Sequence, residues 1–263
     1  MKLKIALGQL DVKLAEPAAN LEKARAFAAE AARVNADILV LPELWTTGYD
    51  LANAARYATD VTAGLFAEMA GIAREYQIYL LGSSLSLPKN GGFGNTAVFL
   101  TPTGDLLAQY TKLHLFRLMD EDQYLVPGNQ PTLVSTPWGK AGLAICYDLR
   151  FPELFRHYAL SGASFIFLPA EWPHPRLSHW QTLLRARAIE NQVYMIACNR
   201  VGTSGDTRFF GHSCVIDPWG ELVVEAGETE LLLTAEIDLD LVSQVRHKIP
   251  VFADRRSDIY GDK

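Results

Sequence analysis

The feature that most constrains the fold is the way in which short apolar runs are joined along the 263-residue chain. Helix-length segments separate some of these strand-like runs, such as 3–10 and 37–44, whereas a tight turn joins the two runs within 96–116. Parallel strands require a long crossover, usually a helix, while antiparallel neighbours can be joined by a short turn. The sequence therefore predicts an α/β protein with two mixed sheets packed face to face and helices outside.

The predicted elements follow from apolar periodicity and from turn residues. Strands are expected at 3–10, 37–44, 78–85, 164–172, 193–202 and 231–239, with hairpins at 96–116, 132–148 and 211–227 and a turn at 90–92. Helices are expected at 17–35, 61–77, 152–161, 176–191 and 238–247, and 117–131 and the tail are expected to be irregular. The segment NADILVLPELW (35–45) resembles GASFIFLPAEW (162–172), which indicates either an internal repeat or the general likeness of buried strands.

Composition limits the class of protein. Hydrophobic residues make up 49% of the chain and no Pro/Ser-rich or charged linker interrupts it, so a single domain over 1–263 is expected. The net charge of −6 comes from interspersed charges, without the basic stripe that nucleic-acid binding requires.

Cellular location can be inferred from the N-terminus, the apolar runs and the cysteines. Residues 1–12 lack the apolar core of a signal peptide, and no apolar run reaches the length of roughly 20 residues that a membrane helix needs. The three cysteines are an odd number without CxxC spacing, which disfavours disulfides and structural zinc. We therefore expect a cytoplasmic protein that contacts neither membrane nor nucleic acid.

Cys146 is the strongest candidate for a reactive side chain. It lies in KAGLAICYDLRFPELFRHYA, between a strand-like run and a predicted helix start at Pro152, with Asp148 as a candidate cap. The positive end of a helix favours the thiolate form of a nearby cysteine. The alternative is a structural cysteine at the end of a buried strand. Cys198 and Cys214 lie inside apolar strands, and a structural role is expected for them.

Glu43, Lys112 and Glu121 are the candidate partners of this cysteine. Glu43 follows the buried run ILVLP, and ligand sites of α/β sheets gather at such carboxyl ends of strands. It can serve as a general base or be a surface glutamate. Lys112 lies in the strand-like QYTKLHLF, where a lysine is either solvent-facing or placed beside a developing oxyanion. Glu121 lies in an acidic loop, where most charges are simply solvated.

Other constellations receive less support. His114, His174, His179 and His212 could form a Cys–His pair, but none has a diagnostic spacing. The chain contains no HExxH, no GxxxxGK[ST], no GxGxxG after a strand and no GxSxG. We therefore expect no metal, no nucleotide and no other cofactor.

Three ordered segments, LPEL with Glu43, TKLHLF with Lys112 and AICYDLRFPEL with Cys146, resemble the signatures of the nitrilase, or carbon–nitrogen hydrolase, superfamily. HWQTLLRARAIENQVYMIACNR, GHSCVIDPWGEL and IPVFADRRSDIY resemble its amidase branch, so that the likeness extends from about Lys4 to Tyr260. It implies a four-layer α-β-β-α sandwich. It also implies a homodimer or larger homo-oligomer in which the tail, about 248–263, contacts a partner subunit.

The resemblance also implies roles for the candidate residues. Cys146 is expected to be the nucleophile, Glu43 the general base, and Lys112 with the backbone N–H of Tyr147 the oxyanion donors, while Glu121 positions Lys112. Two arginines, Arg150 and Arg176, are expected near the substrate, where either can bind its carboxylate. Arg150 can equally form an ion pair with a neighbouring acid. Trp172 and Tyr49 can line the pocket or belong to the core.

Within the family, HLFRLMDE and LPAEWPHPR are most similar to bacterial ω-amidases of methionine salvage, which hydrolyse 2-oxoglutaramate. The more common ω-amidase pattern has an Asp-rich loop after HLF and a different pair where Glu171 and Trp172 stand. The expected substrate is thus a small linear amide. A nitrilase, an N-carbamoyl amino acid amidohydrolase and a non-catalytic binding protein are the alternatives.

Overall fold

The computed structural model describes residues 1–89 and 91–261. The predicted turn residue Asn90 and the tail residues Asp262 and Lys263 therefore lie outside the described residues. The strands are β1 (Lys2–Gln9), β2 (Ile38–Val40), β3 (Tyr79–Ser86), β4 (Gly94–Leu100), β5 (Leu106–Thr111), β6 (Thr132–Thr136), β7 (Gly139–Leu143), β8 (Phe165–Ala170), β9 (Tyr194–Asn199), β10 (Val201–Ser204), β11 (Thr207–Phe210), β12 (Cys214–Ile216), β13 (Leu222–Glu225) and β14 (Leu231–Asp238). The helices are α1 (Pro17–Arg33), α2 (Gly64–Tyr76), α3 (Glu121–Tyr124), α4 (Pro152–Leu160), α5 (Leu177–Asn191), α6 (Asp240–Lys248) and α7 (Ser257–Tyr260). Short 3₁₀ helices span Leu51–Arg56, Arg117–Met119 and Cys146–Arg150.

Two six-stranded mixed sheets organise the chain, as the sequence predicts. The first has the strand order β14-β1-β2-β3-β4-β5 and the second has the order β13-β12-β9-β8-β7-β6. In the first sheet β1, β2 and β3 are parallel, and in the second β7, β8 and β9 are parallel. The remaining strands of both sheets pair antiparallel with their neighbours.

The inner faces of the two sheets form the main core. Leu3, Ile5 and Leu7 alternate along β1 and lie in the same apolar cluster as Phe99 of β4 and Phe167 of β8. The rings of Phe99 and Phe167 meet edge to face, with centroids 5.6 Å apart. Side chains of a strand point alternately to its two faces, so the odd-numbered residues of β1 are those buried between the sheets.

The outer faces are covered by helices. Ala6 of β1 faces a second apolar cluster, in which Ala24, Ala28 and Ala31 of α1 are fully buried. These alanines recur at three- and four-residue intervals, which places them on one face of the helix. On the other sheet, α4 contacts β7 and α5 contacts β9 and β12. The layers are therefore helices, sheet, sheet and helices, which confirms the expected sandwich.

The internal likeness of the two LP-containing segments has a counterpart in the topology. The pairing pattern of β14, β1, β2, β3, β4 and β5 is repeated by β6, β7, β8, β9, β12 and β13. In each sheet the parallel strands are connected by one helix and then another, α1 and α2 or α4 and α5. Segments 35–45 and 162–172 thus occupy equivalent central strands, which favours the internal repeat.

Several elements differ from the sequence-based expectation. β2 ends at Val40 rather than at residue 44, and the chain from Val201 to Phe210 forms an extra hairpin of β10 and β11. The loop 117–131 contains α3, and the tail contains α7. Lys112 follows β5 instead of lying within it. Across residues 1–89 and 91–261, none of the helices combines the length and apolarity needed to span a lipid bilayer.

Candidate active site

Glu43 lies just beyond the end of β2 and is completely buried. Its Oε1 accepts hydrogen bonds from Asn95 Nδ2 and Lys112 Nζ, both at 2.7 Å, and its Oε2 accepts one from the backbone N–H of Glu171 at 2.9 Å. The alternative of a surface glutamate is therefore wrong. Three donors from three segments hold this carboxylate in one orientation.

Lys112 is also fully buried, and its ammonium group bridges two carboxylates. Its Nζ lies 2.7 Å from Glu43 Oε1 and 2.6 Å from Glu121 Oε1. Glu121, in the first turn of α3, is held from its other oxygen by the N–H of Phe116 at 2.6 Å. Both side chains have zero exposed area. Lys112 is therefore not a solvent-facing lysine, and Glu121 is not a solvated loop glutamate.

Cys146 opens the 3₁₀ turn that follows β7, and its side chain is 5% exposed. Its backbone has a φ of +45°, in the left-handed region that non-glycine residues rarely adopt. Such conformations cost about 1–3 kcal/mol and cluster at functional sites. The sequence carried no signal for this strain, since the position is occupied by an ordinary L-residue rather than by glycine.

The turn that carries Cys146 is fixed by the buried carboxylate of Asp148. Asp148 Oδ2 accepts from the N–H of Ile145 at 2.8 Å and from the hydroxyl of Tyr110 at 2.7 Å. Its Oδ1 accepts from the N–H of His114 at 3.1 Å and lies 2.7 Å from the same residue's Nδ1. Asp148 was expected to cap the helix at Pro152. It instead joins the cysteine turn to the segments that flank Lys112.

The electrostatics of the cluster follow from burial and from close opposite charges. Burial lowers the pKa of Lys112, but the carboxylates of Glu121 and Glu43 outweigh burial and raise it above its ordinary value. Burial raises the pKa of Glu121, while Lys112 opposes that rise. Burial, and next the negative charge of Glu43, raise the pKa of the Cys146 thiol well above its usual range.

The raised pKa corrects the expectation that a helix end favours the thiolate of Cys146. The helix α4 begins only at Pro152, and the cysteine lies six positions earlier in a buried 3₁₀ turn. Burial and the neighbouring carboxylate therefore dominate over any helix dipole. A thiol that is neutral at rest requires a base at the moment of attack, and Glu43 lies beside it.

Arg150 and Arg176 are half-buried near the cysteine. Arg150 packs its guanidinium over the Trp172 ring at 4.9 Å and lies 3.3 Å from His179 Nδ1. Arg176 lies over the Phe116 ring at 5.4 Å. Burial, followed by the positive charge of Arg150, lowers the pKa of Arg176. Across the described parts of the chain neither arginine forms an ion pair with a carboxylate, so the alternative role given to Arg150 is wrong.

The two aromatic candidates differ in character. Tyr49 donates its hydroxyl to Glu121 Oε1 at 2.7 Å and lies 3.5 Å from Lys112 Nζ, so it belongs to the polar cluster. Trp172 is 3% exposed and its ring centroid lies 5.5 Å from that of Trp180. Trp172 is thus largely a core residue that also supports Arg150. A cleft of about 440 Å³ beside the cysteine turn is lined by residues that include Phe116, Tyr147 and Phe151.

Glu171 and Arg200 were missed as site residues. Glu171 is 1% exposed and follows β8, while Arg200 is fully buried after β9, and their side chains pair at 3.1 Å. The segment LPAEW marked Glu171 only as a departure from a family pattern. The signal that could have found it is its position: like Glu43, it is a carboxylate at the exit of a buried parallel strand.

The fold and this buried cluster of thiol, carboxylates and ammonium are those of an α/β enzyme that hydrolyses carbon–nitrogen bonds. The model of the carbon–nitrogen hydrolase family matches residues 4–247, and the chain belongs to that family. This finding confirms the resemblance indicated by the three motif segments.

Known proteins with similar sequences and structures agree with the family assignment. The chain is 42% identical over 260 residues to a 2-oxoglutaramate amidase of Bacillus subtilis, covering 99% of this chain and 100% of that protein. It is 34% identical to the human omega-amidase NIT2, covering 98% and 96%. A solved mutant of the amidase from Nesterenkonia sp. AN1, with acrylamide added to the active-site cysteine, superposes with a TM-score of 0.84 at 30% identity, covering 95% and 99%.

Proposed function

We propose that the protein hydrolyses the ω-amide of 2-oxoglutaramate, or of a closely similar 2-oxo acid, with Cys146 as nucleophile. The observation that carries this proposal is the contact of one buried ammonium group with two buried carboxylates beside a buried thiol. The names of the Bacillus subtilis and human relatives support the choice of substrate.

The first half of the proposed reaction forms a thioester. Glu43 accepts the thiol proton while the sulfur of Cys146 attacks the amide carbon, and a C–S bond forms. Lys112 and the N–H of Tyr147 stabilise the negative charge that develops on the amide oxygen. Glu43 then donates the proton to the departing nitrogen, so that the C–N bond breaks and ammonia leaves.

The second half restores the enzyme. Water attacks the thioester carbon and loses a proton to Glu43, the C–S bond breaks, and the thiol is reprotonated as the acid leaves. The N–H of Tyr147 belongs to the first residues of the 3₁₀ turn that Cys146 opens, which supports its assignment to the oxyanion. Glu121 and Tyr49 hold Lys112 in place through the contacts at 2.6 Å and 3.5 Å.

The 2-oxo acid end of the substrate requires a cation. Arginine binds carboxylates through two parallel hydrogen bonds. Arg150 and Arg176 are close enough to each other for the positive charge of Arg150 to lower the pKa of Arg176, and Arg176 lies near Cys146. We propose that these two arginines bind the substrate carboxylate. The ring of Trp172 packs against the guanidinium of Arg150 and the ring of Phe116 against that of Arg176, which orients both groups.

The test is ammonia release from 2-oxoglutaramate by the wild-type protein and by Cys146→Ala. The matched control is Cys214→Ala, which removes a thiol that is equally buried but lies in β12. We expect activity in the wild type and in the control and none in Cys146→Ala. Hydrolysis by Cys146→Ala at the wild-type rate would refute the assignment of the nucleophile.

A substrate panel decides between the amidase and the alternatives within the same family. Nitriles, N-carbamoyl amino acids and neutral amides are assayed beside 2-oxoglutaramate under the same conditions. We expect the highest kcat/KM for the amide that carries a distal carboxylate. A preference for nitriles or carbamoyl compounds would assign the protein to those activities, whereas inactivity on every member would favour a binding role.

We further propose that the chain forms one domain and assembles as a homodimer or larger homo-oligomer in a reducing cytoplasm, with segment 248–263 against the partner. Large apolar side chains remain exposed on α5 and near the tail, among them Ile189 at 50% and Ile249 at 47%. Exposed apolar area of this kind is typical of subunit interfaces. Sedimentation equilibrium of the full chain and of a chain ending at residue 247 tests this assembly. The same number of subunits in both assemblies would contradict the role of the tail.

A further inference from the structure

Glu171 reaches the proposed base through its backbone. Its N–H donates to Glu43 Oε2 at 2.9 Å, and this bond joins the end of β8 in one sheet to the end of β2 in the other. The residue that supplies this N–H also carries a carboxylate that is 1% exposed. Any shift of Glu171 therefore moves a donor that orients Glu43.

Arg200 anchors the side chain of Glu171. Its Nη1 lies 3.1 Å from Glu171 Oε2, and the remaining donors bond to Val12 O, Val201 O and Ser204 Oγ at 2.6, 3.1 and 3.0 Å. Its guanidinium also lies 4.2 Å from the centroid of the Phe209 ring. Every guanidinium nitrogen of Arg200 is hydrogen-bonded, and the residue has no exposed area. Arg200 is therefore held rigidly and restricts the movement of Glu171.

The environment of Glu171 is unusual for a purely structural ion pair. Its Oε1 has no hydrogen-bond partner in the described part of the chain, although the atom is buried. The charged groups that face it are Arg200 after β9, Glu43 after β2 and Lys112 after β5. Burial raises the pKa of Glu171 to about 7, against the opposing effect of Arg200, so the carboxyl titrates near neutral pH.

We propose that Glu171 is a positioning residue that acts through Glu43. Held by Arg200, it fixes the peptide N–H that orients Glu43, and its negative charge adds to the electrostatic cost of forming the Cys146 thiolate. The inference rests on the proposed function only in taking Glu43 as the base for Cys146. A nearby negative charge disfavours ionisation of a thiol, so neutralising Glu171 lets Cys146 lose its proton at lower pH.

The experiment compares the wild type, Glu171→Gln and the control Glu190→Gln between pH 5 and 11. Glu190 also pairs with an arginine, Arg187, but lies in α5 at 37% exposure. The first readout is the rate at which iodoacetamide alkylates Cys146, followed by peptide mass spectrometry, which requires no substrate. The second is kcat and KM for 2-oxoglutaramate.

In Glu171→Gln we expect the midpoint of the alkylation profile to move to lower pH by about one unit. We also expect kcat to fall about tenfold with KM changed less than about twofold, because Glu43 is displaced without loss of a substrate contact. Glu190→Gln should match the wild type in both readouts. A Glu171→Gln profile and kcat equal to those of the wild type would overturn the proposal.

Glu171→Gln leaves Arg200 buried without its counter-ion, so the variant can fail to fold. Two further variants keep the proposal open to refutation. Glu171→Gln combined with Arg200→Gln removes both charges and should retain the downward shift, though a smaller one. Glu171→Asp keeps the charge and should retain the wild-type midpoint while losing kcat, and an unchanged kcat in this variant would count against positioning.

Failure of the proposed function is recognised separately. If the wild type hydrolyses no amide but Cys146 is alkylated with a pH profile that Glu171→Gln displaces, the coupling of Glu171 to the cluster stands and the substrate is wrong. If the amide is hydrolysed and the profiles coincide, the function stands and the role of Glu171 is refuted.

Discussion

Replacing Lys112 by methionine tests the electrostatic design of the site, because one ammonium group separates two buried carboxylates. Its Nζ contacts Glu43 and Glu121 at 2.7 and 2.6 Å. The two contacted oxygens are therefore roughly 5 Å apart at most, and two unit charges at that separation repel by about 3 kcal/mol at an effective dielectric constant of ~20. Methionine has a similar length and supplies no charge to offset this repulsion.

The expected result of Lys112→Met is a loss of stability that depends on pH. Without the cation, repulsion and burial raise the folded-state pKa of one carboxyl above its unfolded value of about 4.3. The penalty is then present at pH 7.5 and disappears as protonation relieves it towards pH 5. Urea denaturation should therefore show the free energy of unfolding about 3 kcal/mol below that of the wild type at pH 7.5, with a smaller gap at pH 5.

Activity provides a second readout for the same variant. Loss of an oxyanion donor should lower kcat by about 10²–10³-fold, measured as ammonia release. The control is Lys2→Met, which removes a lysine paired with Glu236 on the surface and should change neither quantity appreciably. A loss of stability that is identical at pH 5 and pH 7.5 would refute the argument that carboxylate repulsion causes it.

Three further substitutions test other parts of the structure. Asp148→Asn weakens the acceptor that serves Ile145, Tyr110 and His114. The rate of Cys146 alkylation and kcat should therefore both fall about tenfold. The control Asp217→Asn, which changes a carboxylate in a surface turn, should behave as the wild type. Arg176→Met should raise KM for 2-oxoglutaramate about tenfold and leave kcat/KM for a neutral amide unchanged, because only the first substrate carries a carboxylate. Equal effects on both substrates would contradict a contact between Arg176 and the carboxylate. Phe99→Ala opens a cavity between the sheets and should lower the free energy of unfolding by about 3–5 kcal/mol in chemical denaturation, and a loss below about 1 kcal/mol would contradict the packing described.

The sequence determined the architecture because its signals are local. Apolar alternation in β1 and the buried alanine face of α1 follow from residue spacing, and turn residues or helix-length segments between strands specify antiparallel or parallel neighbours. The motif segments likewise identified Glu43 and Cys146 as residues at the ends of strands and Lys112 as their candidate partner, although Lys112 was expected within a strand. Their likeness to a known family supplied the chemistry that residue spacing alone left open.

Only the tertiary structure decided the state and the surroundings of those groups. Glu43 and Lys112 are 69 positions apart in sequence, and Glu43 and Glu171 are 128 apart, so no local pattern could reveal their contacts. The neutral Cys146 thiol is a case in point, since the sequence suggested a helix dipole whereas burial and Glu43 determine its pKa. Electrostatic energies depend on distance and on desolvation, and both are set by the packing of the two sheets rather than by the order of residues.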